Sequence, residues 1–187
     1  MRTIPITVLA LAASLCATQA SAQGGRGQRE VKSPSPFVGT WLINVAKSTY
    51  EGIPEEQRRF ISIRTLDVNA DGWFVQTHRN VSKVRAQSFS FWVGKPDGPE
   101  FIEFNRLNGT ELGNRITIKT VTERQWAVTF KNQRGEVVLV DTWTISADGS
   151  TMTIDRKDTT PNRPPTHSVE VYDSEKWAMP GQRAASR

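Results

Sequence analysis

Three polar residues lie within stretches whose alternating apolar residues predict β-strands, namely Arg64, His78 and Asp141. Asp141 alternates with Leu139 and Trp143, so its side chain is expected on an inward face. A buried polar group needs a partner, and an inward Arg or His can receive the carboxylate or hydroxyl group of a ligand. The alternative for each residue is an outward, solvated position or a structural ion pair.

An acid–base pair of His78 and Asp141 inside a barrel is the sequence's candidate for catalysis. Other enzymatic patterns are missing from the sequence. His78 and His167 are the only histidines and have no metal-ligand spacing, which predicts no metal site. The sequence has no Gly-x-Ser-x-Gly elbow, phosphate-binding glycine loop or dinucleotide fingerprint, so no cofactor is expected. The question of enzymatic activity stays open, and a binding protein is favoured.

Aromatic residues are numerous, with six Trp and eight Phe in 187 residues. Two interpretations remain open: the aromatic side chains line a cavity for an apolar ligand, or they fill the barrel. Under the first interpretation, the predicted ligand-binding residues are Arg64, Trp73, His78, Phe89, Phe91, Trp126 and Trp143. Phe60 and Phe130 are expected on the same apolar faces.

Short strand patterns separated by turn residues continue along most of the chain. One short helix is predicted at residues 54–60, and residues 100–104 read as an edge strand. Residues 155–158 alternate in charge, which is typical of a solvated outer face. Sequential hairpins of this kind predict an all-β fold, a single antiparallel up-and-down barrel of about eight to ten strands. The predicted strands are residues 38–45, 61–68, 73–80, 86–93, 100–104, 115–121, 125–131, 137–145, 151–158 and 168–172.

The stretch Phe37-Val38-Gly39-Thr40-Trp41, followed by Asn44-x-Ala46-Lys47-Ser48, resembles the start of a family of secreted bacterial lipocalin-like (calycin-type) β-barrel proteins, mostly of unassigned function. The segments 135–138, 146–154 and 171–176 are also similar to that family, whereas residues 92–98 depart from it. The resemblance implies a barrel with one enclosed cavity and implies no reaction. Independently of it, Gly39 permits an unusual φ, and Trp41 is expected to close one end of the barrel while its indole N–H finds a partner.

The N-terminal sequence predicts export. Arg2, the apolar run 4–15 and Ala20-Ser21-Ala22 are typical of a signal peptide over residues 1–22, too short to span a bilayer. A flexible linker (23–36), a barrel domain (37–177) and a disordered tail (178–187) are expected to follow. Cleavage removes Cys16, the only cysteine, so the mature chain is expected to have no disulfide; lipidation at Cys16 is the less favoured alternative. The expected location is the periplasm or the extracellular space.

The net charge of +5 is spread along the chain among acidic residues rather than clustered. This pattern argues against nucleic acid as a partner and favours, at most, weak attraction to an anionic cell surface. No transmembrane segment is predicted, and protein partners stay open. We expect an exported protein that binds a small hydrophobic or amphipathic molecule in its barrel. The alternatives are a cofactor-independent isomerase, cyclase, hydratase, lyase or hydrolase using the same cavity, and a filled barrel that acts through its surface.

Overall fold

The computed structural model describes residues 35–84, 87–107, 110–111 and 113–176. The predicted signal peptide, most of the predicted linker and all of the predicted tail lie outside these residues. Two single turns of 3-10 helix, Val45–Lys47 and Glu55–Gln57, interrupt an otherwise all-β chain in this part of the sequence. The strands are β1 (Gly39–Ile43), β2 (Thr49–Glu51), β3 (Arg59–Val68), β4 (Phe74–Ser82), β5 (Ser88–Gly94), β6 (Phe101–Leu107), β7 (Thr110–Glu111), β8 (Asn114–Thr122), β9 (Gln125–Lys131), β10 (Val137–Ile145), β11 (Thr151–Asp158) and β12 (Thr166–Ser174).

Ten of these strands form a closed antiparallel barrel in the order β1-β3-β4-β5-β6-β8-β9-β10-β11-β12, because β1 pairs with both β3 and β12. The short strand β2 continues past β1 along β12, and β7 pairs with β6. Every pairing is antiparallel, so the barrel is an up-and-down meander as predicted. The fold class is confirmed.

Strands β9, β10 and β11 begin and end at the predicted residues. The prediction of an edge strand at residues 100–104 is wrong, because β6 pairs with β5 on one side and with β8 on the other. The predicted helix at residues 54–60 is reduced to the turn Glu55–Gln57, since β3 already begins at Arg59. Strands β2 and β7 were not predicted from the sequence.

One end of the barrel is filled by apolar side chains, and we call it the apolar end. Trp41 is 2% exposed there, and its indole nitrogen donates to the Phe37 carbonyl at 3.1 Å. The Phe37 ring stacks on Trp126 with centroids 3.7 Å apart. Gly39, next to this plug, has a φ of +147°, a conformation that favours glycine. The roles predicted for Gly39 and Trp41 are confirmed.

The predicted inward placement of four aromatic residues is wrong. Phe89 and Phe91 are 42% and 37% exposed on the outside of β5, and Phe60 is 50% exposed. Trp73 precedes β4 and is 37% exposed. The physical reason on β5 is that the inward positions are taken by Ser88, Ser90 and Trp92, so the alternation is real but the aromatic face is the outer one. Trp126, Phe130 and Trp143 do face inward, as predicted.

Candidate functional site

At the end opposite the Trp41 plug, which we call the polar end, the inward side chains are hydrophilic. Strand β4 contributes Gln76, His78 and Asn80 at alternate positions, all directed inward because side chains on a strand repeat every two residues. Arg64 on β3 and Ser90 on β5 lie opposite His78 in the register of the sheet. The pleat therefore places these polar groups on one continuous patch of the inner wall.

These side chains border an inner cavity of about 140 Å³. Its apolar lining consists of Trp92, Phe130 and Leu139, and the rest of the lining is polar or charged. A second depression of about 320 Å³, the vestibule, has Gln57, Val81 and Val84 among its lining residues. The inner cavity and the vestibule adjoin, because both are lined by Arg59, Asn80 and Ser88.

Two of the three arginines that line the cavity are neutralised by carboxylates. Arg156 donates from Nε and Nη2 to Asp141 at 2.9 and 2.6 Å, and Arg59 donates from Nη1 to Glu170 at 2.6 Å. Burial by itself would raise the pKa of Glu170. The positive charges of Arg59, Arg156 and Arg64 outweigh this effect and lower the pKa to about 2. Glu170 therefore remains ionised at neutral pH. The expectation that Arg156 lies on a solvated outer face is wrong, because its side chain is 13% exposed and points inward to Asp141.

Arg64 is the third arginine and has no carboxylate partner among the described residues. It is 3% exposed, and its Nε donates to the Tyr172 hydroxyl at 3.2 Å. Its guanidinium lies 5.2 Å from the Trp143 ring centroid, within range of a cation–π interaction. Its Nη2 is buried with no hydrogen-bond partner in this part of the structure. The site thus contains a buried guanidinium group, that of Arg64, whose Nη2 is still able to donate a hydrogen bond.

Two amide groups on β4 are also incompletely satisfied. Gln76 is 1% exposed, and its Nε2 has no partner among the described residues. The Asn80 side chain donates from Nδ2 to Ser88 Oγ at 2.8 Å, while its Oδ1 is buried and unpartnered within the same described region. Buried polar atoms in folded proteins are nearly always hydrogen-bonded, so each such atom requires an explanation. Three of the four such side-chain atoms among the described residues, those of Arg64, Gln76 and Asn80, belong to residues that line one cavity, and the fourth is the Tyr50 hydroxyl.

A chain of hydrogen bonds fixes the protonation of His78. Tyr172 donates its hydroxyl hydrogen to Glu170 at 2.8 Å, which leaves the Tyr172 oxygen to accept from Ser62 at 3.0 Å. Ser62 Oγ in turn accepts from His78 Nε2 at 2.8 Å, an assignment inferred from the direction of this network. Burial, followed by the positive charges of Arg64, Arg59 and Arg156, lowers the pKa of His78 well below its usual value. His78 is therefore a neutral imidazole with Nδ1 as an acceptor.

The structure brings together only part of the predicted site. Arg64 and His78 line the cavity at the polar end, and the Arg64 guanidinium contacts the Trp143 ring. Trp126, which lies opposite Trp143 in the register of β9 and β10, belongs to the apolar plug. Asp141 is fully buried as predicted, but its oxygens accept from Arg156 and the Trp143 indole rather than from His78.

Five residues at the polar end were not predicted from the sequence: Gln76, Asn80, Arg156, Glu170 and Tyr172. Gln76 and Asn80 are each two positions from His78 on β4, and this alternation was the signal that could have found them. Glu170 and Tyr172 also alternate with each other on β12. Arg156 gave no signal, because its charged neighbours on β11 suggested a solvated strand.

Comparisons with known proteins add little beyond the architecture. No family model and no curated protein matches the chain. A solved structure described as "The Siderocalin Ex-FABP functions through dual ligand specificities" is similar at 13% identity with a TM-score of 0.37, covering 82% of this chain and 83% of that chain. The structure itself shows a closed antiparallel meander of ten strands. A similarity at this level carries no information about family or ligand.

Two other kinds of site have no candidate among the described residues. Within the described residues, His, Cys, Asp and Glu side chains form no group of three that can hold a metal ion. Among the same residues, no helix has the length and hydropathy needed to cross a membrane.

Proposed function

We propose that this chain is an exported binding protein whose barrel holds a small amphipathic molecule. The anionic group of the ligand occupies the inner cavity, and the remainder lies in the vestibule. The observation that supports this proposal is the set of buried, unpartnered hydrogen-bonding atoms on Arg64, Gln76 and Asn80, all residues that line the inner cavity.

The charge of the bound group follows from Arg64. Arg59 and Arg156 each have a carboxylate within the barrel, but Arg64 has only the Tyr172 hydroxyl and aromatic faces. A planar carboxylate can accept from Arg64 Nη2 and Gln76 Nε2 at once and offset the buried charge. Arg64 and Gln76 are diagonal neighbours on β3 and β4, since Gln76 is two positions from the residue opposite Arg64. Diagonal neighbours in a sheet lie about 7–8 Å apart, within joint reach of one small group.

The amphipathic character follows from the vestibule. Val81 and Val84 give it apolar lining, and Val84 is 64% exposed. Asn80 lies at the boundary between the vestibule and the cavity, where its Oδ1 can accept a hydrogen bond from a hydroxyl or amide group of the ligand. The two spaces have volumes of about 320 and 140 Å³, which together suit a small organic ligand.

A purely hydrophobic ligand is less well supported. The inward aromatic rings pack on one another, as in the Phe74–Trp126 edge contact at 5.0 Å and the Trp126–Trp143 stack at 6.3 Å. The space that remains lies among polar side chains at the other end. The enzymatic alternative stays a prediction, and its test is a bell-shaped pH dependence of turnover that disappears in His78→Ala.

The test uses decanoate, decanol and decyltrimethylammonium as probes in calorimetric titrations of the mature protein. We expect decanoate to bind at least tenfold more tightly than the other two, and Arg64→Gln to remove this preference. A tenfold change corresponds to about 1.4 kcal/mol, within the range for a hydrogen bond to a charged group. Arg79→Gln is the matched control, because Arg79 lies one strand away on the outer face. Equal affinity for decanoate and decanol, or unchanged decanoate binding in Arg64→Gln, contradicts the proposal.

A further inference from the structure

The outside of the barrel carries a continuous apolar surface, which we call the aromatic face. Its members on β5 and β6 are 37–50% exposed, namely Phe89, Phe91, Val93, Ile102 and Phe104. The Phe91 and Phe104 rings stack with centroids 5.0 Å apart and planes inclined by 14°. The Phe89 and Phe91 centroids are 6.3 Å apart. Isolated exposed apolar residues are normal, but a contiguous patch usually marks a binding surface.

The register of the sheet makes this surface continuous. Phe91 pairs with Phe104 across β5 and β6, and Val93 pairs with Val75 on β4, which is 44% exposed. Cross-strand neighbours of this kind have Cβ atoms about 5 Å apart, so three adjacent strands contribute to one surface. Their backbone hydrogen bonds are used within the sheet, and only their side chains are available to a partner.

Positive charge borders the aromatic face on both sides. Arg79 on β4 lies opposite Phe89, and among the described residues it has no ion-pair partner. Arg115 on β8 lies opposite Ile102. Glu100 is 3.5 Å from Arg115 and 2.8 Å from Lys131, so one carboxylate serves two cations. The whole chain carries a formal charge of +5, so its general field also attracts anions.

We propose that the aromatic face binds to the surface of a membrane that contains anionic lipids. The phenylalanine rings enter the boundary between headgroups and acyl chains, while Arg79 and Arg115 remain among the lipid phosphates. This contact lies outside the barrel, so it does not depend on what occupies the inner cavity. The barrel would bind to the membrane by the side formed by β4, β5 and β6.

The chemistry of the aromatic face favours a lipid surface over a protein. Protein interfaces contain about one hydrogen bond per 100–200 Å², and their hot spots are enriched in Trp, Tyr and Arg, which can hydrogen-bond. The centre of this face contains Phe, Val and Ile side chains, which have no hydrogen-bonding group. A second copy related by a two-fold axis would bring two positively bordered surfaces together, which is unfavourable.

The test is flotation of the mature protein with vesicles of phosphatidylcholine alone and of phosphatidylcholine with 30% phosphatidylglycerol, a mixture chosen for the experiment. We expect binding to the anionic vesicles at low salt, at least tenfold weaker binding to the neutral vesicles, and a decrease as salt is raised, since salt screens charge. The double substitution Phe91→Ser with Phe104→Ser is expected to reduce partitioning at least tenfold. Arg79→Gln is expected to reduce it about threefold to fivefold, for the loss of about 1 kcal/mol from one cation.

The matched control is Val137→Ser with Val140→Ser, which removes exposed apolar side chains from the outer face of β10, away from the aromatic face. This variant is expected to bind vesicles like the unsubstituted protein. Circular dichroism melting curves establish that each variant is folded before its binding is compared. Equal binding of the Phe91/Phe104 variant and the unsubstituted protein, or equal binding to both vesicle types, overturns the proposal. A dimer in solution that the same variant dissociates also overturns it, because the occupant is then a second copy.

Discussion

Arg156 and Asp141 lie opposite each other in the register of β10 and β11 and are joined by two hydrogen bonds of 2.9 and 2.6 Å. Asp141 is fully buried, and the Trp143 indole donates to the same carboxylate at 3.2 Å. This closed arrangement contrasts with Arg64, which lines the same cavity without a carboxylate. Two arginines at one site therefore have different roles: Arg156 stabilises the wall, and Arg64 remains available.

The first prediction concerns the stability of this ion pair. Asp141→Asn leaves the Arg156 cation buried without its counter-charge, so we expect the free energy of unfolding to fall by about 3 kcal/mol. The measurement is urea denaturation followed by tryptophan fluorescence at pH 7. Lys83→Gln, which breaks the exposed Lys83–Glu55 pair, is the control and is expected to leave the midpoint unchanged. A similar small effect for both variants would show that the Asp141 carboxylate is not needed to hold Arg156.

The second prediction concerns acid unfolding. The folded-state pKa of Glu170 is lowered to about 2, from an ordinary value of 4.5. Its contribution to stability is therefore complete above pH 4.5 and is lost as the pH falls from 4.5 to about 2, amounting to about 3 kcal/mol. We expect the free energy of unfolding of Glu170→Gln to change less with pH between 4.5 and about 2 than that of the unsubstituted protein. Glu123→Gln, in an exposed turn, should retain the slope of the unsubstituted protein; if Glu170→Gln retains it too, Arg59 does not hold the carboxylate as described.

The third prediction concerns pH values near neutrality. The Asp155 carboxylate, 2.9 Å from His167 Nε2, raises the pKa of His167 above 6.5. Burial opposes this rise, and Glu51, 3.4 Å from Nδ1, adds to it. A raised folded-state pKa means that the stabilisation is complete below pH 6.5 and is lost as the pH rises through the raised value. NMR titration should show His167 protonating at a higher pH than a model peptide, and Asp155→Asn should lower that pKa. An unshifted titration would contradict these contacts.

The fourth prediction concerns packing between β5 and β6. A Cβ atom added at Gly94 would overlap the Phe101 ring, which packs beside Trp92 at a centroid distance of 5.2 Å. We expect Gly94→Ala to lower the free energy of unfolding by about 1–3 kcal/mol through overpacking. Gly94→Ala with Phe101→Leu should recover part of the loss. If the double substitution is less stable than both single ones, Phe101 is not the residue that excludes the methyl group.

The sequence predicted the meander well because its evidence was local. Alternation and turn residues such as Asn69 and Gly72 define strands without reference to the rest of the chain, and Asn69 Oδ1 accepts from the Asp71 and Trp73 amides in that turn. Closure of the barrel by β1 and β12 depends on contacts distant in sequence. The run of sequential hairpins favoured a barrel without showing which strands close it, and the resemblance at Gly39 and Trp41 also implied a barrel.

The candidate site was predicted only in part, because alternation shows that a strand has two different faces but does not show which face points into the barrel. On β5, hydrophobicity favours Phe89 and Phe91 as the inner face, but the polar end of the barrel takes Ser88 and Ser90 instead. Arg64 and His78 were found because each interrupts an apolar face. Arg156 was missed because only its register pairing with Asp141 shows that a charged strand points inward.

The Phe37–Trp126 stack fills the apolar end of the barrel, so a ligand can enter and leave only at the polar end. The parts of the ligand must therefore pass the opening in a fixed order. A molecule bound as proposed enters with its charged group first. That group loses its hydration water in the vestibule beside Val81 and Val84, passes Asn80 and then reaches Arg64. To leave, it must reverse along the same path, and the charged group is the final part to be rehydrated. For a ligand bound as proposed, entry and exit therefore both pass the vestibule lined by Val81 and Val84.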